Sequence, residues 1–320
     1  VIRQYDHEVR GKTTLKPIQG PIGKEVPGDS SVIKPVDDSW KGLALTSDVN
    51  PYLMEANPYH GTMSAVEEVC RNLASVGARI DSLADCLCFG NPRRPDIMGQ
   101  FKASCEALRD AAVAVDVPYV SGNVSLYNET QEGAIPPTPV LMGIGLVNDI
   151  RKCVTSDMKS EGSIWLVGQT KEEMGASLYY RTLGIECPKV PTTNFKTFLP
   201  RMEQLIQAIE NEEVVACHDI SNGGLALSII EMCMSGFGAE ITFDGKLRAD
   251  VELFSESNGR WIVQVAPGCE DTFSKRFDFA EKIGNINEKI IFKNGAEKLV
   301  QLTIEEVRDK WTKPIWERLA

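Results

Sequence analysis

Six residues, Met98, Phe101, Cys105, Leu108, Ala112 and Val115, recur at spacings that alternate between three and four. An α-helix places such a series on one side, as a stripe that must be buried against a flat partner. The stripe ends beside Val117-Pro118-Tyr119-Val120, an apolar run too short to be another helix. Upstream, residues 81–89 read as a strand that runs into Gly90-Asn91-Pro92. Before it, Ala65, Val66, Val69, Leu73 and Val76 mark a helix that should stop near Gly77. Residues 42–46 and 139–147 supply two further strands, and the loop between residues 48 and 61 is punctuated by two Asn-Pro pairs. Helices and strands alternating this closely confine the chain to an α/β or α+β domain with helices on a sheet, here four strands and two helices over residues 40–155.

Residues 1–39 are rich in Pro and Gly and read as an arm or linker. The polar stretch at residues 155–162 marks a boundary, and residues 156–320 form a second α/β domain. There, residues 163–168, 214–217, 239–243 and 260–265 read as strands. Phe198, Met202, Leu205, Ile206 and Ile209 mark one helix, and Leu225, Ile229 and Cys233 another. Charged tails and an amphipathic end at residues 304–319 close the chain.

At 320 residues and 42% hydrophobic content, the chain can bury a full core in two domains. Its apolar runs are too short to cross a bilayer and no signal peptide is visible, so a soluble cytoplasmic protein is expected. A net charge of -11 without a basic stripe argues against a nucleic-acid partner, although phosphorylated small molecules need only a local pocket. Nine cysteines lack CxxC pairs. Cys86 and Cys88 share a strand face, but without a second pair the expectation is reduced thiols and no tetrahedral zinc site. The first residues, Val1-Ile2-Arg3, contain no methionine and suggest a processed product or part of a longer polypeptide.

Candidate chemistry concentrates in Val117 to Thr130, VPYVSGNVSLYNET. Two strand-like runs flank Ser121-Gly122-Asn123, which is expected to bend. Gly122 would let a phosphate or adenine approach the backbone, and Asn123 and Ser125 offer neutral oxygens to a metal or sugar phosphate. An ordinary hairpin turn is the competing reading. Asp85 lies mid-strand among apolar neighbours, where a carboxylate needs a partner or a ligand, unless it caps a helix or pairs with an Arg. His218-Asp219 could be a catalytic pair, or Ser221 or Asn222 could simply cap the following helix. Glu256 and Arg260 suggest an internal ion pair, with a ligand role as the alternative. His7 and His60 have no evident companions for metal or acid-base work.

QYDHEV, AVEEVCRNLASVGA, DCLCFGNP, VSGNVSLYNET, PTPVLMGIG, HDISNGGLA and LFSESNGR follow one another in an order that resembles phosphoribosylformylglycinamidine synthase, synthetase subunit of the small bacterial and archaeal type. The resemblance extends over essentially the whole chain but only to that family's C-terminal half. It implies the aminoimidazole ribonucleotide synthetase-like fold, with an N-terminal four-stranded half-barrel domain and a C-terminal α/β sandwich domain. It also implies a carbon-nitrogen ligase that uses ATP and Mg2+ to convert formylglycinamide ribonucleotide to formylglycinamidine ribonucleotide in purine biosynthesis. In that reaction the amide oxygen is phosphorylated to an iminophosphate, and glutamine-derived ammonia displaces phosphate.

Carried over by position, Asp85 and Gly122 match nucleotide contacts, Asn123 a magnesium ligand and Ser125 a substrate contact. The family's catalytic histidines and most of its magnesium carboxylates lie in the first half, so the isolated chain is expected to be inactive. The implied partners are that N-terminal half, a glutaminase subunit and a small bridging subunit, with a homodimer as a further expectation. Asn57-Pro58-Tyr59 departs from the acidic residue more usual before that proline. The loops from His218 to Gly224 and from Glu256 to Arg260 correspond to functional loops of the first half. Two alternatives are another ATP-dependent enzyme of the superfamily, of the selenophosphate or thiamine-phosphate kinase type, and a degenerate repeat that holds nucleotide as a structural scaffold.

Overall fold

The computed structural model describes residues 7–319. Gln4-Tyr5-Asp6 of the N-terminal motif and the question of the missing methionine lie outside the described residues. The first sheet begins in the segment expected to be an arm, which forms β1 (Thr13–Leu15), β2 (Ile18–Gln19), β3 (Val26–Pro27) and β4 (Ser31–Ile33). Then come β5 (Gly42–Asp48), α1 (Pro51–Ala56), α2 (Pro58–Ser75), β6 (Arg79–Cys88), α3 (Pro95–Val115), β7 (Tyr119–Ser125), the small hairpin β8 (Glu129–Thr130) and β9 (Gly133–Ala134), and β10 (Thr138–Val147). The sheet order is β1-β4-β5-β10-β6-β7, so the four expected strands are joined by β1 and β4 to make six. Three-residue strands among prolines and glycines are too short to show a period, which is why an arm was expected there.

Two further expectations are corrected. The 48–61 loop is two helix starts, because Asn50 and Asn57 accept hydrogen bonds from Leu53 N and His60 N while Pro51 and Pro58 occupy the first helical turn. An Asn cap followed by Pro is a helix-initiating pair, since proline has no N–H to leave unsatisfied. The chain does not bend at Gly122. Strand β7 continues through it in parallel with β6, from Leu83 opposite Tyr119 to Cys88 opposite Ser125, with one irregularity at Val120, which the pairing skips. The turn comes later, where Tyr127 has φ 62.

The second sheet uses β11 (Ser163–Val167), β12 (Val214–Asp219), β13 (Gly238–Phe243), β14 (Trp261–Val265), β15 (Ala280–Asn287), β16 (Ile290–Asn294) and β17 (Glu297–Leu302), in the order β12-β14-β11-β15-β13-β16-β17. Around it lie α4 (Leu178–Thr182), α5 (Phe195–Glu210), α6 (Gly224–Cys233), α7 (Ala249–Phe254), α8 (Glu270–Ser274) and α9 (Ile304–Leu319). The charged stretch expected to be a tail is in fact β15 to β17. These strands keep charged side chains at the surface, so their hydrophobic alternation is weak. Every residue of β11 and β14 is buried, as befits strands covered on both faces.

One core joins the two sheets. Val69 and Leu73 of α2 pack with Leu83 and Leu141 of the first sheet, and the same cluster continues through Leu205 and Ile206 of α5 to Trp261 and Val263. Helix α2 lies so close to β10 that a Cβ on Gly143 would stand 2.3 Å from a Val69 methyl. A second core, including Ile164, Ile229 and Ile262, fills the far face of the second sheet.

Buried charges cross the seam between the two sheets. Arg71, 1% exposed, donates from Nε and Nη2 to Asp219 Oδ2 at 3.2 Å, pairs with Glu67, and reaches Glu68 at 3.2 Å. His218 stands between Asp29, 2.6 Å from Nδ1, and Glu231, 3.0 Å from Nε2. Asp219 Oδ1 is farther from Nδ1, at 3.8 Å, so the hydrogen-bonding partners are Asp29 and Glu231 rather than the neighbouring aspartate. Neither Ser221 nor Asn222 caps α6. Glu256 accepts from Gly223 N at 2.8 Å in their place, while Asn222 bonds Asn50 across the seam. Glu256 is turned from Arg260 to backbone N–H groups, and Arg260 donates to Ser255 and Ser257 carbonyls and to Thr170. The expected Glu256–Arg260 ion pair is replaced by these backbone bonds, which satisfy each charge locally.

Breaking a buried ion pair strands the remaining charge, so Arg71→Ala should cost about 3–5 kcal/mol in urea unfolding, and a cost below about 1 kcal/mol would refute that role. The pH dependence follows from the same network. Burial, reinforced by Asp219 and opposed by Arg71, pushes the Asp48 carboxyl up to about 7 from 3.8. Burial alone would lower His218, but Asp29 and Glu231 raise it well above 6.5. Both groups hold their protons more tightly when folded. Asp48 therefore contributes fully below 3.8 and loses its contribution as pH rises through about 7, and His218 loses its own as pH rises through its raised value. Tm should fall between about pH 5 and about pH 8, and Asp48→Asn should flatten the fall; a wild-type Tm that rises over this interval would contradict the assignment.

Candidate functional site

The pairing of β6 with β7 brings the sequence candidates together in two groups. Asp85 lies opposite Gly122 and Leu141, on the face that α2 and α3 cover. A Cβ on Gly122 would stand 3.2 Å from both Asp85 carboxylate oxygens. The glycine therefore leaves the carboxylate room against the neighbouring backbone. Asn123 lies opposite Cys86, and Ser125 opposite Cys88, on the face without helices. Asn123 Nδ2 approaches Cys86 Sγ at 3.3 Å, and Ser125 exchanges hydrogen bonds with the Asn128 side chain at 3.2–3.3 Å. Asp85 and Gly122 thus meet each other, and Asn123 and Ser125 share the opposite face. Alternation along a strand imposes this division.

Asp85 is half-buried, and burial raises its carboxyl above the ordinary value. Its surroundings are apolar or weakly polar: Cys105 of α3 is raised by burial and by the Asp85 charge, and Tyr119 likewise. The Tyr119 hydroxyl is buried without a hydrogen-bond partner. Strand β7 forms an edge of the sheet, with Val120 64% and Val124 54% exposed. Such an arrangement offers an acceptor carboxylate, an approachable backbone and a neutral amide oxygen within a few residues of solvent.

The loops from His218 to Gly224 and from Glu256 to Arg260 lie at the seam. The space bounded there by Asn50, Glu68, Arg71, Ser221, Asn222 and Glu256 is only about 10 Å³, because Arg71 and its partners occupy it. Ligating atoms of Asp29, His218 and Asp219 lie within 4.8 Å of one another. Both imidazole nitrogens are already engaged by carboxylates, so an internal cation, the raised imidazolium, serves this trio. Asp29, Arg71 and Tyr119 were not singled out by sequence reasoning. Arg71 carried a readable signal, since a cation at the fourth position after Glu67 falls on the same helix face among apolar residues.

The AIR synthase related protein N-terminal domain matches residues 27–147, and the AIR synthase related protein C-terminal domain matches residues 164–292. Phosphoribosylformylglycinamidine synthase subunit PurL of Methanothrix thermoacetophila is 36% identical over 337 aligned positions, which take in 100% of this chain and 43% of that protein. Its counterpart from Thermococcus sibiricus is 41% identical over 314 positions, 96% of this chain and 42% of that protein. The chain thus spans less than half the length of these curated relatives. A structure of T. maritima PurL complexed with FGAR has the same fold, with a TM-score of 0.75 at 16% identity, covering 88% of this chain and 48% of that one. With both domains present in order, the chain belongs to the AIR synthase related family.

Proposed function

We propose that this chain is the C-terminal half of a phosphoribosylformylglycinamidine synthase, contributing nucleotide and substrate contacts to the ATP-dependent amination of formylglycinamide ribonucleotide through an iminophosphate. The observation that carries this reading is the register that sets Asp85 over the bare backbone of Gly122 and places Asn123 and Ser125 at the next positions of the same edge. Similarity to the PurL subunits along the whole chain supports it. Residues 40–155 would hold these contacts, and residues 156–320 would be the second domain that buttresses them.

Asp85 would accept a hydrogen bond from the nucleotide, and Gly122 would let the nucleotide lie against the strand. The Asn123 carboxamide is a hard neutral donor that suits magnesium as one ligand among several, the remainder coming from phosphate oxygens, water and the other half. When bound, magnesium would neutralise charge on the transferring phosphoryl group. Ser125 would contact the substrate. Partners on this reading are the N-terminal half, a glutaminase that supplies ammonia and a small bridging subunit. Pairing along the β7 edge would account for a dimer. Nine free cysteines suit the reducing cytoplasm, and no helix among the described residues is long and apolar enough to cross a membrane.

In the reassembled enzyme, Asn123→Ala should lower turnover at least roughly tenfold, the scale on which ligand-shell losses act in metal sites. Turnover equal to wild type would instead favour a repeat that serves as scaffold. Calorimetry of magnesium-dependent ATP binding should show weaker binding for Asp85→Ala, and also for Gly122→Ala, whose new methyl would press on the carboxylate. Identical isotherms in chain and variants, with the N-terminal half present, would remove Asp85 and Gly122 from the nucleotide site.

A further inference from the structure

Cys86 and Cys88 point from consecutive positions on the helix-free face of β6, and both are partly exposed. Residues two apart on a strand have Cα atoms about 6.6 Å apart, yet the two Sγ atoms stand at 3.7 Å, so the thiols lean toward each other. Two sulfurs bound to one tetrahedral zinc-like ion at about 2.3 Å must be about 3.8 Å apart, so the pair already has the bite such an ion requires. Asn123 on the adjacent strand donates from Nδ2 to Cys86 Sγ at 3.3 Å, so that sulfur already serves as an acceptor. Both sulfurs are free thiols. Val140 lies opposite Cys86 and Thr138 opposite Cys88 on β10, so no charged side chain lies directly across from either sulfur on that side.

We propose that Cys86 and Cys88 form a two-thiolate chelate for a soft d¹⁰ cation such as Cd2+ or Zn2+, with water completing its coordination. Two S–H bonds are exchanged for two S–metal bonds and two protons leave to solvent, with no change of oxidation state. Thiolates select soft cations over Mg2+ and Ca2+, so the site is distinct in chemistry from any magnesium held by Asn123 alone. It stands whether or not the catalytic reading of this strand does, because its readout is binding. Where both hold, a soft cation occupies the surface that magnesium and substrate would use.

Titration of the full chain with Cd2+ should give an ultraviolet sulfur-to-metal charge-transfer band that saturates at one ion per chain and survives excess Mg2+. Cys86→Ser and Cys88→Ser should each weaken binding at least tenfold, whereas Cys105→Ser and Cys153→Ser should leave it unchanged. A measurement on the unaltered chain guards against misfolded variants: Cd2+ should protect Cys86 and Cys88 from alkylation, read by peptide mass. Equal alkylation with and without Cd2+, or a band undiminished in both serine variants, would overturn the proposal.

Discussion

A guanidinium closed off from water holds this molecule in one piece. Arg71 projects from α2, beneath the first sheet, and its partner across the seam, Asp219, ends β12 of the second. The carbonyl of the same residue accepts from the indole of Trp261, so backbone and side chain both bind across the seam. Charges buried this deeply are tolerated only when each finds a partner, and here the acids outnumber the bases. The surplus is relieved by protons on groups such as Asp48 and His218. Asp29 adds a further tie, because it reaches from the segment before β4 to the His218 ring and to the Asp219 amide. The two sheets are thereby fixed as a unit, with Arg79 clasping Glu203 and Glu210 of α5 nearer the surface.

That rigidity matters for the edge where the candidate chemistry lies. Strand β6 is anchored by Leu83 and Leu87 in the shared core, and through it the register of β7 is set. A slip of one residue would send Asp85 to the open face or Asn123 to the helix face. The long helix α3 enforces the parallel return, because a parallel neighbour requires a crossover of that kind.

Much of this was legible beforehand, and the reasons are specific. The stripe from Met98 to Val115 predicted the extent of α3 to within a few residues, because a 21-residue helix repeats its pattern often, but its buried side is turned toward Ile97, Ala107, Leu108 and Ala111, and Met98 is exposed. The strands paired with it were legible for the same reason, being apolar and bounded by turns. What could not be seen were elements too short or too polar to show a period: β1 and β4 among prolines, and β15 to β17 among charges. The Asn-Pro pairs were legible and misassigned, since the same residues serve turns and helix starts, and only the apolar stripe that follows tells them apart. At the candidate site, residue type pointed to Asp85 and the Gly122 region, but the division of these residues between two faces needed the pairing register. The seam network depends on contacts between residues 148 apart, such as Arg71 and Asp219, which no local pattern encodes.

Strand β7 is bonded on one side only, to β6, and presents its other side to solvent. Its peptide groups are therefore half of an unfinished ladder, and any chain that completes the ladder also straightens and stiffens the backbone carrying Gly122, Asn123 and Ser125. Association and the ordering of that strand would then be the same physical event. Dilution would act on such a protein as a ligand withdrawn, loosening its edge strand well before its core gives way.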